Sequence, residues 1–556
     1  MGPGNMDPGN MGPGNMDPGN MGPGNMDPNT SYSGGASGPG QFDPSQFGDD
    51  HFADYGADQF GEFDHNTMGG FDANQVQNFD HDAMGGFDAD QFGAFDPNAM
   101  GGFSQEHVQN FDHDAMGGFD ADQFGAFDPN AMGGFSQEHV QNFDHGAMGG
   151  FGADQLGAFD PTAMAGFDAK HVENFDHGAM GGFGADQLGA FDPTAMAGFD
   201  AMHIQNFDHG AMGAFDADQF GAFDPTAMAG FSQEHIENFD HGAMGGFGAD
   251  QFGAFDPSAM GGFSQQHVMN FDHGAMGGFG ADQFGAFDPT AMSGFSHEHV
   301  QNFDPNAMQG FGADHFQNFD PSAMAGFEAD HLKHIDATAI AGFSMDHLEA
   351  FDPTAMGGFG ADHFGAFDPS MMTAFDHQDV MNFDPNAMQG FGADHFQNFD
   401  PNAMQGFGAD HMKHIDPTAI AGFGMDHMMN MDPMAMGGFG ADHFGAFDPT
   451  MMTAFDHEDI GNFDPMAMSG FGADHFQNFD PESMMGFSPD QVGNFDPMAM
   501  GGFGMDHMMN MDPMAMGGFG MDHMMNMDPM AMGGLGMDHM KNFDPMAMGG
   551  LGMDHM

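Results

Sequence analysis

The octapeptide Phe159-Asp160-Pro161-Thr162-Ala163-Met164-Ala165-Gly166 decides the fold of this chain. Its order of residues predicts one short capped helix. Asp160 suits the N-cap, because its carboxylate can accept an otherwise unpaired N–H of the first turn. Pro161 suits the first helical position, where its missing N–H costs nothing. Gly166 suits a helix stop. Phe167 then begins the next octad, three residues after Met164 and on the same face of the helix.

Outward from this octad the aromatic keeps its place. Phe47, Tyr55, Phe63, Phe71 and Phe79 begin a series that continues at every eighth residue to Leu551. The exceptions, Tyr55, Ile335, Ile415, Met431, Met511, Met527, Leu535 and Leu551, are all large and apolar. Strict alternation is absent and Val, Ile and Thr are scarce, which argues against strands and a β-helix. An isolated helix of eight residues does not recover its nucleation cost, so such helices must be held by stacking their Phe and Met side chains. Burial of even part of each ring is worth about 1.5–3 kcal/mol.

A higher order is visible. FDHGAMGG, FGADQLGA, FDPTAMAG and FDAKHVEN (143–174) recur as FDHGAMGG, FGADQLGA, FDPTAMAG and FDAMHIQN (175–206). Ala-Met octads alternate with Gln- or His-containing octads, giving a 16-residue pair, read as a two-helix rung, and a 32-residue superunit. The expected fold is all-α: an elongated solenoid of very short capped helices, with the Phe ladder inside and carboxylates outside. The alternative for so simple a composition is a largely disordered chain. A disordered chain has little reason to keep phase over this length, so the unbroken register favours the solenoid.

Three stretches divide the chain. Residues 1–40 are Gly/Pro/Asn/Met-rich and are expected to be flexible and disordered, with almost nothing to bury. Residues 41–422 are the Phe-anchored acidic octapeptide array, and residues 423–556 are its Met/His-rich continuation.

Charge limits the partners. Lys170, Lys333, Lys413 and Lys541 are the four cations against 83 Asp and Glu, for a formal net charge of −79. This excludes nucleic acid and anionic lipid, both of which need a Lys/Arg footprint. Cations are the natural small partners, and folding is expected to depend on salt or divalent ions that screen the self-repulsion. With no Cys, disulfides, thiolate metal sites and cysteine nucleophiles are absent. No stretch approaches the roughly 18 consecutive apolar residues of a membrane span. The start, MGPGNMDPGN, has neither the basic region nor the apolar run of a secretory leader.

The octad is similar to the LTPxQVAA-type tandem repeats of very large bacterial surface or secreted proteins, with Phe for Leu and Asp for Thr before Pro. That resemblance implies an extracellular or cell-surface protein acting as an adhesin-like stalk or spacer, whose partners are further copies of itself, other surface proteins or polysaccharide.

Histidine occupies two places. At the fifth place of the octad it exchanges with Gln, as His315 in GADHF against Gln91 in DADQF, which predicts a side chain reaching back to the N-cap as in a capping box. At the third place His113, His145, His177 and His209 stand where Pro161 stands, which marks a helical first turn. A metal reading competes near the C-terminus. Thioether and imidazole without thiolate suit copper, and the candidate ligands are Met505, His507 and Met508, then Met521, His523 and Met524, then Met537, His539 and Met540. These MDHM segments resemble the Met/His-rich repeats of periplasmic copper-resistance proteins. For calcium, Gly149–Gly157 matches a repeats-in-toxin nonapeptide, but the period of eight breaks the tandem that motif requires. Looser Ca²⁺ binding by surface carboxylates stays open. Asp-His neighbours such as Asp176-His177 look like acid–base partners, yet an array repeats one environment and offers no unique cleft. No enzyme is expected. The function expected is a non-enzymatic spacer, stalk or assembly scaffold, and the alternative is a metal-binding or metal-buffering protein that uses copper or calcium.

Overall fold

The computed structural model describes residues 43–552, so the expectation for residues 1–40 lies outside the described residues. The chain falls into two compact units, 43–247 with 254–259, and 248–253 with 260–552. Each is an all-helical solenoid of very short capped helices, and the described residues contain no strand.

The two octad types fold differently. Asp-Pro octads form six-residue 3₁₀ helices such as Pro161–Gly166. Asp160 is their N-cap, and its carboxylate accepts the N–H of Thr162 at 2.9 Å. The Ala163 N–H bonds back to the Asp160 carbonyl at 2.9 Å and that of Phe167 to Met164 at 3.2 Å, both three residues apart. His145–Gly150, with His in the place of Pro, is a 3₁₀ helix as well, and what the two share is an Asp carboxylate that holds the N–H two residues on, Gly146 at 2.7 Å as Thr162 at 2.9 Å. Gln/His octads form α-helices of four to six residues, such as Ala169–Glu173 after the N-cap Asp168. In both types the anchor that follows leaves in extended conformation, as Phe127 does at φ −63° and ψ 143°. The chain therefore turns a corner at each anchor.

Layers close on a step of three octads. In the first unit, Ala121–Ala126 packs on Pro97–Gly102 and on His145–Gly150, and 121 − 97 and 145 − 121 are both 24. In the second, Ala393–Asn398 packs on Pro369–Ala374 and Pro417–Gly422 at the same spacing. Because three is odd and the octad types alternate, each α-helix stacks on 3₁₀ helices, with one exception among the described residues: His65–Met68 is itself α-helical and packs on Ala89–Phe92. The 16-residue pair is thus the repeat of local conformation, while one turn of the coil takes three octads. The anchors follow this geometry. Phe135 meets its chain neighbours Phe127 and Phe143 at ring-centroid distances of 5.8 and 5.2 Å. It meets Phe111 and Phe159, one turn below and above, at 6.4 and 5.8 Å. The first three of these pairs are edge-on and the Phe135–Phe159 pair is tilted, and such pairs add to the burial of each ring.

The glycine that closes an Ala-Met octad sets the layer spacing. A Cβ on Gly118 would overlap the Ala89 carbonyl oxygen one turn below, and one on Gly390 would overlap that of Ala361. Ala374 and Ala454 occupy this place in their own octads, and there the packing of Pro369–Ala374 on Met345–Ala350, and of Pro449–Ala454 on Met425–Asn430, is sparser than that of the other 3₁₀ helices on the α-helix one turn below, whereas Ala214 closes His209–Ala214 without that loss.

Candidate functional site

The polar groups inside the coil belong to the fifth place. Gln123 is buried, its Oε1 accepts the Asp120 N–H at 2.9 Å, and its own N–H is met by the Asp120 carboxylate at 2.9 Å. This is the expected capping box. The side chain does more. Its Nε2 donates to the carbonyls of Phe92 and Phe95, both at 2.9 Å, and so joins two layers. Histidine reproduces this bond with its ring. His139 accepts the Ser136 N–H on Nδ1 at 3.0 Å, and its Nε2 contacts the Phe111 carbonyl at 3.1 Å. Both contacts are satisfied together only by the neutral tautomer protonated on Nε2. Gln and His exchange here because each carries an acceptor and a donor at matching reach, but Gln makes two interlayer bonds and His one.

Third-place histidines sit on the fifth-place ones. His81 and His107 have ring centroids 4.3 Å apart, and the same spacing recurs in His113/His139, His145/His171, His177/His203, His209/His235 and His273/His299. Burial pushes the inner imidazoles, His107, His139, His171, His203, His235 and His299, below the ordinary histidine value, and the outer histidine pushes the same way. Asp379 and Asp459 hold the fifth place in two octads. Burial, reinforced by the neighbouring Asp376 or Asp456 carboxylate, raises each to about 6, although each accepts an N-cap N–H at 2.9 Å.

The outer acid varies. Glu106 approaches His81 at 3.5 Å and Glu138 approaches His113 at 3.7 Å, beside helices capped by Ser104 and Ser136. Where the cap is Asp, the acid lies between both rings. Asp168 is 3.4 Å from His145 Nε2 and 2.9 Å from His171 Nδ1, and Asp200 is 3.3 Å from His177 and 2.9 Å from His203. In both places the ligand-capable atoms of the three residues lie within 4.8 Å of one another.

The Met/His residues singled out near the C-terminus divide between inside and outside. His507, His523 and His539 are buried fifth-place rings with both nitrogens engaged: Nδ1 with the N–H of Gly504, Gly520 and Gly536, and Nε2 with the carbonyls of Phe479, Phe495 and Met511. Met508 and Met524 are sealed in the core, whereas Met505, Met521, Met537 and Met540 face solvent. Met505 lies along Gly533, one turn away.

The histidine pairs were missed by reading the octads one at a time, yet a signal was available. From 79 to 302 every octad beginning FDH is followed three octads later by one with His at the fifth place, and every octad beginning FDP by one with Gln there, except FDP at 287, whose partner lies beyond 302. That correlation states the turn length. No protein-family profile matches the chain, and no curated protein matches its sequence. No helix among the described residues is long and apolar enough to cross a membrane.

Proposed function

We propose that this chain is a non-enzymatic structural or interaction repeat protein: a spacer, stalk or assembly scaffold at a cell surface or outside the cell, whose fold depends on cations. The observation that carries this reading is the sameness of the interlayer bond, made by Gln75 to Pro44 and Phe47 near one end and by His539 to Met511 near the other. A side chain that both caps its own helix and ties the layer below lets an array grow by whole octads with no change of design. The net charge of −79 then favours a surface that attracts cations and repels nucleic acid. The likeness of the octad to repeats of bacterial surface proteins supports the extracellular place.

The test is an internal deletion combined with an ion series. Removing residues 111–206 takes out 206 − 110 = 96 residues, which is four turns of 24 and three sequence superunits of 32. Such a chain is expected to keep its helical far-ultraviolet circular dichroism in Ca²⁺ and to present its ends at a shorter reach in a surface-display assay. A flat spectrum from the intact chain in chelator, in salt and in Ca²⁺ alike would end the solenoid reading. Full activity of the shortened chain in the display assay would end the spacer role.

A further inference from the structure

The two octads that combine an Asp cap with histidine at the fifth place, capped by Asp168 and Asp200, create an arrangement that the Ser-capped ones do not. In the neutral tautomer that donates to the Phe143 carbonyl, His171 carries its lone pair on Nδ1, facing the Asp168 cap. In Ser-capped octads the equivalent neighbour is a hydroxyl, as Ser104 Oγ lies 2.9 Å from His107 Nδ1, and a hydroxyl can donate to that lone pair. A carboxylate cannot. Asp168 places an oxygen 2.9 Å from the same nitrogen, with His145 Nε2 3.4 Å from its other oxygen on the solvent side. Ligand-capable atoms therefore converge from one buried, one half-buried and one exposed side chain, and the arrangement repeats at His177, Asp200 and His203. His171 Nδ1 accepts the Asp168 N–H at 3.1 Å and a neutral His145 can donate Nε2–H to Asp168, and a cation, either a proton shared between acid and ring or a metal ion, can take the place of these hydrogens.

We propose that His145, Asp168 and His171 form one divalent-metal site and His177, Asp200 and His203 a second, each of the borderline class typified by Zn²⁺. Two imidazoles and a carboxylate with an open fourth position suit zinc, and they do not suit calcium, which prefers an all-oxygen shell. The interlayer bond supplies the outer support that metal-bound histidine characteristically has, an Nε2–H donated to a backbone carbonyl, from His171 to Phe143 and from His203 to Phe175, both at 3.2 Å. Binding costs the N–H contact of Asp168 or Asp200 to the ring, and it ties a third-place residue of one layer to the fifth place of the next. The sites are unequal. Lys170 stands next to His171, whereas Met202 stands next to His203, so the ammonium opposes metal at the first site alone and the second is the tighter.

The full chain, stripped with chelator and held in excess Mg²⁺ to occupy the surface carboxylates, is titrated with Zn²⁺ against a chromophoric competitor. Two tight equivalents per chain are expected. Asp168→Ser with Asp200→Ser, and separately His145→Pro with His177→Pro, place at these positions the residues that the array itself carries at Ser136 and Pro161, so the helical spectrum should be retained. Both double variants are expected to weaken zinc binding by at least about 100-fold, beyond the 10–100-fold typical of losing an outer-shell partner. His113→Pro, taken from a Ser-capped pair, should leave both sites intact. Lys170→Met should tighten one of the two. Zinc taken up no more tightly by the intact chain than by the Ser variants would overturn the proposal and leave the shared proton as the occupant, and equal weakening by His113→Pro would overturn it too. If a double variant loses its helices, the visible spectrum of Co²⁺ on the intact chain decides: intense tetrahedral bands for two ions are expected, and only weak octahedral bands would overturn it.

Discussion

Residues 79–302 and 303–552 are built from the same octad but cover the buried fifth-place side chain in different ways. In 79–302 the two kinds of layer alternate: His over His, as His113 on His139, and Pro over Gln, as Pro97 one turn below Gln123. In 303–552 the fifth place is almost always His, and Pro usually lies one turn below it, as Pro289 lies below His315. Exposure follows the N-cap and not the residue one turn away: with Pro there in each case, Gly-capped His315 is 8 % exposed, Ser-capped His347 3 % and Asp-capped Gln123 1 %. The core changes as well. Phe124 at the sixth place of one α octad gives way to Met412, Met428, Met508 and Met524 further on, and anchors such as Met431, Met511 and Met527 replace rings. The lesson is that the capping bond is the constant of the design, while the interlayer bond recurs wherever the fifth place is Gln or His and is missing at Asp379 and Asp459, which make only the capping bond.

The largest effect should come from cutting the interlayer bond in each region. Gln123→Leu strands the Asp120 N–H and the Phe95 carbonyl and also takes one of two donors from the Phe92 carbonyl, which keeps the Phe95 N–H at 3.2 Å, whereas His395→Leu strands the Gly392 N–H and the Phe367 carbonyl and breaks no further bond. Each variant leaves two buried groups unsatisfied at about 1–3 kcal/mol apiece, and the first should cost more by the one additional hydrogen bond, about 0.5–1.5 kcal/mol. Urea denaturation of the two variants tests this, and equal losses would mean that the second Gln bond contributes nothing. Next comes the layer spacing. Gly118→Ala drives a methyl into the Ala89 carbonyl and should destabilise by about 1–3 kcal/mol, while Ala374→Gly should let Pro369–Ala374 settle closer to Met345–Ala350. Slower amide exchange in 345–374 for Ala374→Gly would show the closer approach.

Acid should separate the regions further. The inner histidines of 79–302 have folded values below the ordinary value of about 6.5, so below that pH the unfolded chain binds more protons than the folded one. Their contribution is complete above about pH 6.5 and is lost as pH falls below it. His139→Gln keeps both contacts without a titrating ring, and it should be near neutral at pH 8 and stabilising at pH 5 relative to the parent, as read by thermal melts at each pH. Asp379 and Asp459 respond in the opposite sense. With folded values of about 6 against an ordinary 3.8, they favour the folded state fully below pH 3.8, and that contribution is lost as pH rises through 6. Asp379→Gln should remove this dependence and add an interlayer donor, the smallest change of the set, visible as slower exchange near residue 379 at pH 7. An unchanged pH profile would show that Asp379 is solvated.

Much of this was legible in the octad. Asp160, Pro161 and Gly166 mark the cap, start and stop of a helix, and the exchange of Gln91 with His315 marks a capping side chain, because caps are local and their spacing is written in the chain. The 3₁₀ form of Pro161–Gly166 was not legible, since octads with Pro161 and with His145 at the first helical position adopt it alike while Pro489–Gly493 is an α-helix. The division of Met505 from Met508 was not legible either, because residues three apart share a helix face and only the packing of the neighbouring layers decides which of the two is covered.

The sequence by itself determined that this chain is an all-α array of capped octads with an apolar anchor and an acidic exterior, because propensity, capping and hydrophobic burial act within eight residues. The tertiary structure decided that three octads complete a turn, a length that no single octad implies and that the sequence carries only as the correlation of FDH with His and FDP with Gln three octads on. That number comes from the corner angle at each anchor and from how closely Gly118 lets two backbones approach. It alone brings Gln123 to Phe95 and His145 to Asp168 and His171, residues that no local rule connects.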